Sequence, residues 1–120
     1  MGNLKRVIFT NVDASARQMI TDADYNIALK SFRCYNPNSS DVFLKFYDET
    51  SGTVTVGTTE THYGAFLVPA NAELILGSDT ESAPLRYFAD QLCAAVTTTD
   101  TGSTSPTSDC TVELTYWGLA

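Results

Sequence analysis

Apolar and polar positions alternate with a period of two along most of this chain. The alternation is strongest over residues 41–48, where three purely apolar side chains alternate with two aromatic ones and a lysine: Val42, Leu44 and Phe46 against Phe43, Lys45 and Tyr47. A pleated strand places the first three on one face, and turn-forming residues flank the stretch on both sides. We therefore predict a central sandwich strand with Val42, Leu44 and Phe46 toward the core.

Alternating or β-branched segments predict further strands, at residues 5–10, 16–20, 25–35, 63–68, 72–76, 85–96 and 110–116. The first has mixed faces, which suggests a sheet edge. Residues 85–96 also fit helical spacing, but they run into β-forming residues without a cap, so a strand is preferred.

The sequence also predicts the form of three connections between these strands. Residues 36–40 have the length and composition of a turn that joins residues 25–35 to the central strand as an antiparallel hairpin. Residues 52–59 are interpreted as an extended arm or a short outer strand. Residues 100–109 are small and polar, and we expect this loop to tolerate deletion because loop-closure entropy changes slowly with length.

Seven to nine short strands with turns between them and no capped helix predict an all-β protein. The architecture we expect is a jelly-roll-like antiparallel β-sandwich. A length of 120 residues fits a single domain, 1–120. Residues 1–24 are predicted to be either part of it or an extended N-terminal segment.

The charge balance argues against two classes of partner. Seven Lys and Arg residues against 14 Asp and Glu residues give a net charge of −7, whereas nucleic acid and anionic membranes attract clustered cations. The sequence also lacks an apolar run of about 20 residues and a signal-peptide core at its start. We expect no nucleic acid, no membrane, and a protein made or assembled in a cytoplasm.

The three cysteines, Cys34, Cys93 and Cys110, are widely spaced and contain no CxxC pair. This pattern favours buried free thiols over a zinc site or a disulfide framework. A disulfide between Cys93 and Cys110 stays open as an alternative, since the two residues would face each other if their segments paired as a hairpin.

Candidate catalytic chemistry is sparse. His62 is the only histidine, and neither a nucleophile motif nor a phosphate-binding glycine loop accompanies it. The neighbouring carboxylates, Asp22 with Asp24 and Asp48 with Glu49, lack the convergence that glycoside hydrolysis needs and the spacing of a calcium loop. We therefore expect a protein that is not an enzyme and that uses no cofactor or metal.

Two adjoining segments, residues 42–48 and 54–61, resemble small virion structural proteins of tailed bacteriophages, and the resemblance continues at residues 66–70, 94–99 and 112–116. It implies a non-enzymatic β-sandwich subunit of a virion, most specifically a capsid decoration (cement) protein that stabilises the phage head. A neck or tail component of the virion, or a carbohydrate-binding β-sandwich module, is the alternative. The N-terminal third, Cys93 and Cys110 depart from the family pattern.

Apolar groups on both faces of residues 25–35 and of the central strand predict that a partner covers part of this surface. Phe43, Tyr47 and Tyr63 are the candidate interface residues. The expected partners are the chain itself as a homo-oligomer, and the phage major capsid protein or other virion proteins. A trimeric order is implied by the resemblance, as is a location in the virion.

Overall fold

Nine strands form almost all of the regular structure in the computed structural model, which describes residues 3–20, 26–78, 83–89 and 91–119. They are β1 (Asn3–Val12), β2 (Arg17–Ile20), β3 (Asn26–Tyr35), β4 (Val42–Tyr47), β5 (Ala65–Val68), β6 (Glu73–Gly77), β7 (Arg86–Phe88), β8 (Leu92–Thr97) and β9 (Cys110–Leu119). A single 3-10 turn covers Ser51–Thr53. No helix in these ranges is long and apolar enough to cross a membrane.

The strands form two antiparallel sheets that pack face to face. Sheet A has the order β1-β9-β3-β6, with β7 paired to the other end of β3, and sheet B has the order β2-β8-β4-β5. The first strand therefore pairs with the last and the second with the eighth, as the chain winds between the two layers. This is the strand order of a jelly roll with β7 added, which confirms the predicted all-β, jelly-roll-like sandwich.

The predicted central strand is β4, which lies inside sheet B between β8 and β5. Val42, Leu44 and Phe46 all point inward with at most 1% of their surface exposed, so the predicted core face is confirmed. The Phe46 ring meets the Phe32 ring of sheet A edge-on, with centroids 5.3 Å apart. Such aromatic contacts and the buried apolar surface around them hold the two layers together.

The predicted hairpin between β3 and β4 is wrong, because the two strands lie in different sheets. The connection between them crosses the end of the sandwich and is held there by the buried side chain of Asn36. Its amide nitrogen donates to the carbonyl oxygens of Ser40, Val68 and Pro69. A five-residue connection of turn-forming residues fits a sheet crossing as well as it fits a hairpin.

Some of the remaining strand predictions are confirmed and others are wrong. The strands expected at 16–20, 63–68 and 72–76 are present as β2, β5 and β6, and the first strand is the edge strand β1. Within the range 85–96 the described residues form strands and no helix, as preferred, but they form two strands, β7 and β8, in different sheets. The outer strand proposed at 52–59 is absent, since these residues form the 3-10 turn and further turns. Residues 3–20 belong to the sandwich, whereas 21–24 lie outside the described residues.

Candidate interaction surface

The structure separates the three candidate interface residues. Tyr47 points outward from sheet B as predicted, yet only 1% of it is exposed. It forms a second small apolar cluster with Cys93 and Ala95, against which Val54 and Val56 pack. The chain therefore covers this part of sheet B itself, and Tyr47 is not open to a partner in this conformation.

The cover over sheet B consists of residues 51–57 and the turn at 98–103. The two segments touch each other, since a Cβ added to Gly57 would lie 3.1 Å from Ser103 Cβ. Gly57 has φ +91°, a conformation that a residue with a Cβ adopts only at a cost. The 100–109 loop is thus an anchored element, which argues against the expectation that it tolerates deletion.

Lys45 lies beneath this cover and is 1% exposed. Its Nζ donates a hydrogen bond of 2.8 Å to the carbonyl oxygen of Gly102. Burial lowers the pKa of Lys45, and the negative charge of Asp100 opposes that shift. The same burial raises the pKa of Tyr47. Lys45 therefore links the sheet to its cover.

Phe43 and Tyr63 lie apart from this cluster. Phe43 is half-buried next to Leu67, its cross-strand neighbour on β5, which is 49% exposed. Tyr63 is 52% exposed and carries the Arg86 guanidinium over its ring, 4.8 Å from the centroid. Phe43 and Tyr63 are therefore at least partly accessible, whereas Tyr47 is not.

The outward side of sheet A is where most exposed apolar surface is concentrated. Five of the seven large apolar side chains that are exposed in the described residues lie on it: Leu4, Ile8, Tyr35, Ile75 and Tyr87. Their chain neighbours, such as Val7, Cys34, Leu74 and Phe88, pack in or against the core, which fixes the outward direction of these five by alternation. We call this surface the open face.

The open face is organised in rows that run across the strands. One row contains Leu4, Trp117, Ala28 and Tyr87. A second contains Ile8, Glu113, Arg33 and Ile75. Between them lies a row of mostly small residues, with Thr115, Ser31 and Gly77 next to Arg6. The face is therefore flat at its centre and apolar at both lateral edges.

The charged side chains of the open face neutralise one another. Arg6 Nε donates to Glu113 Oε2 at 2.6 Å. Arg33 Nε lies 3.7 Å from Glu113 Oε1, and Arg33 Nη1 lies 3.5 Å from Glu73 Oε2. Cations and anions thus alternate across β1, β9, β3 and β6. A face whose charges are already paired costs less to bury against a partner than one with isolated charges.

A polar cleft of about 370 Å³ opens at the end of the sandwich beside Asn38 and Ser108. The Asn38 side chain has a structural role, since its amide nitrogen donates to Ser108 O and its amide oxygen accepts from Ser108 N. The described residues that line the cleft include no aromatic ring. The described part of the cleft therefore offers no aromatic ring on which a sugar ring could stack.

His62 and Asp48 have structural partners. His62 Nε2 donates to the carbonyl oxygen of Tyr87 at 2.6 Å, and its ring packs against Phe88. Asp48 accepts from the backbone N–H groups of Ala89 and Gln91. No group of three or more His, Cys, Asp or Glu residues that could hold a metal occurs in the described ranges. Asp22 and Asp24 lie outside those ranges.

All three cysteines are buried free thiols, as the preferred interpretation predicted. Cys93 lies on sheet B and Cys110 on sheet A, so the hairpin that would have placed them opposite each other does not form. Burial raises the pKa of Cys93 to about 11, and Cys93 Sγ donates to the carbonyl oxygen of Glu49. A hydrogen bond with Cys110, and to a smaller extent burial, raise the pKa of Cys34.

No family model and no curated protein matches the chain. Among solved structures, a disulfide-linked pilus of Bacillus endospore appendages is similar at 14% identity and a TM-score of 0.46, covering 100% of this chain and 88% of that one. The tobacco streak virus coat protein is similar at 11% identity and TM-score 0.43, covering 98% and 87%. A cyanophage Pam1 capsid chain follows at 13% and 0.36, covering 97% and 85%. Similarities of this size assign neither a family nor a function.

Proposed function

We propose that this chain is a non-enzymatic structural protein of a virion, and specifically a capsid decoration protein that stabilises a phage head through protein contacts. The observation that carries the proposal is the open face, a flat surface with five exposed apolar side chains and internally paired charges. Exposed apolar surface that is concentrated on one face is typical of a protein interaction site. The sequence resemblance supports the virion as the setting.

The asymmetry of the sandwich supports the same proposal. On sheet B, the chain's own residues 51–57 and 98–103 cover the surface around Tyr47 and Lys45, whereas sheet A presents most of the exposed apolar residues to solvent. A jelly roll serves capsid proteins, lectins and enzymes alike, so the fold enters only as an analogy. The partners we propose are further copies of the chain and the major capsid protein. We propose no trimeric order, which only the sequence resemblance implies.

Mass spectrometry of purified particles from the host that carries the gene tests the proposal. We expect the chain in the head fraction, and we expect heads that lack it to open at a lower temperature than complete heads. Recovery in the tail fraction would favour a neck or tail component instead. Absence from particles, together with binding to a glycan array, would overturn the virion role in favour of a carbohydrate-binding module.

A further inference from the structure

We propose that the open face binds the same face of a second copy of this chain, about a two-fold axis that runs parallel to the strands between β9 and β3. The inference deepens the proposed function, because it names one of the partners through which the chain acts. It concerns the purified chain, however, and its test does not require a virion.

The first argument is the match of charges under two-fold rotation. Rotation about such an axis reverses the strand order, so that β9 faces the partner's β3 and β1 faces the partner's β6. Glu113 on β9 then faces the partner's Arg33, whereas Arg6 faces the partner's Gly77 and lies two rows from the partner's Glu73. The rotation therefore brings a carboxylate and a guanidinium together at two symmetry-related contacts.

The second argument is the match of apolar groups in the two outer rows. Rotation places Ile8 against the partner's Ile75, and Leu4 against the partner's Tyr87, so exposed apolar side chains cover each other. In the same row, Trp117 and Ala28 lie between these exposed side chains and are already buried within the chain, with 9% and 0% of their surface exposed.

The size of the face is sufficient for a reversible pair. Strands about 4.8 Å apart with a rise of about 3.3 Å per residue make a four-strand face on the order of 500 Å². Two such faces bury roughly 1,000 Å² in total, at the lower limit of specific interfaces. We therefore expect a monomer–dimer equilibrium that dilution can shift.

Sedimentation velocity of the purified chain from about 1 to about 200 µM tests the pairing, since interfaces of this size dissociate in such a range. The wild type should shift from monomer to dimer. Ile75→Glu, which places a charge at a residue that is 63% exposed on the open face, should weaken dimerisation at least about 10-fold. Leu67→Glu, at a 49% exposed position on sheet B, is the matched control and should leave it unchanged.

A charge-reversal mixture tests the two-fold geometry itself. Glu113→Arg and Arg33→Glu each create two like-charge contacts in a homodimer and should each weaken pairing about 10-fold or more. A mixture of the two variants restores opposite charges at both contacts, so a heterodimer should form within about threefold of the wild-type affinity. Thermal melts of each variant confirm folding, and a folding defect would not be repaired by mixing.

A wild type that stays monomeric throughout this range, a mixture that fails to pair, or a Leu67→Glu variant that loses pairing would each overturn the inference. A trimer would also overturn the two-fold geometry. That result would not affect the proposed virion function. The composition of purified particles tests the function, whereas sedimentation of the purified chain tests the pairing.

Discussion

Replacing Phe46 by alanine removes the ring at the centre of the contact between the two sheets. Phe46 is fully buried, and its ring lies against those of Phe32, Phe66 and Phe88 at centroid distances of 5.3, 6.0 and 6.1 Å. All four rings belong to the interior between the sheets, so rigid neighbours on several sides prevent the site from collapsing around the smaller residue. A cavity should therefore remain.

We expect Phe46→Ala to lower the free energy of unfolding by about 3 to 5 kcal/mol, the range for loss of a buried aromatic side chain. For a chain of 120 residues, an unfolding entropy of about 2.1 cal/mol/K per residue converts this into a melting temperature lower by roughly 12 to 20 °C. Urea unfolding followed by circular dichroism at one fixed protein concentration measures the loss, because association would otherwise add to stability.

Phe43→Ala on the same strand is the matched control, since Phe43 is only half-buried and faces away from the core. We expect it to cost less than about 1.5 kcal/mol. Should Phe46→Ala prevent folding altogether, Phe46→Leu at about 1 to 2 kcal/mol provides the measurement. A loss below about 1 kcal/mol for Phe46→Ala, or a larger loss for Phe43→Ala, would show that the inward face of β4 has been assigned wrongly.

Three further predictions concern the cover, the end of the sandwich and the thiols. Gly57→Ala should cost about 1 to 3 kcal/mol because of its positive φ and the 3.1 Å approach to Ser103, whereas Gly52→Ala, with nothing within 4 Å, should be near neutral in the same urea assay. Asn36→Ala should cost about 2 to 4 kcal/mol, since three carbonyl groups lose their donor; a loss under about 1 kcal/mol would contradict its role in the sheet crossing. Burial raises the pKa of Cys93 from 9.0 to about 11, so this thiol favours the folded state below pH 9 and loses that contribution as the pH rises toward 11. The free energy of unfolding of the wild type should therefore fall more steeply between pH 9 and pH 11 than that of Cys93→Ala, and equal slopes would refute the raised pKa.

The sequence was sufficient to predict the fold class and the inward face of β4. Period-two alternation reports which side chains share a face, and Val42, Leu44 and Phe46 are buried as that pattern requires. Alternation does not report which sheet a strand joins. The prediction of a β3–β4 hairpin was wrong for this reason. The turn-forming residues between the two strands connect one sheet to the other, and buried Asn36 holds this connection in place.

The candidate interface was only partly accessible to sequence reasoning. The outward direction of Tyr47 was predicted, but its cover was not, because the Thr and Val residues at 53–56 alternate like a strand although they pack as a loop over it. The open face was predicted only in part, since a partner-covered surface was expected on residues 25–35, which form β3, and not on β1, β6 or β7. A signal was present for β6: Leu74, Ile75 and Leu76 are consecutive apolar residues, so a strand there must turn at least one of them away from the core. Ile75 is that residue, at 63% exposure.

Hydroxyl-radical footprinting of the tyrosines tests most directly whether the open face of sheet A carries the contacts of this protein while Tyr47 on sheet B is covered by the chain itself. The dilute monomer is compared with the assembled protein, either concentrated or in purified particles, and oxidation is measured by mass spectrometry. We predict that Tyr35 and Tyr87, which are 43% and 48% exposed, react in the monomer and become protected on assembly, while Tyr47 stays unreactive in both. Tyrosines of the open face that remain reactive after assembly, or a Tyr47 that reacts in the monomer, would contradict the account.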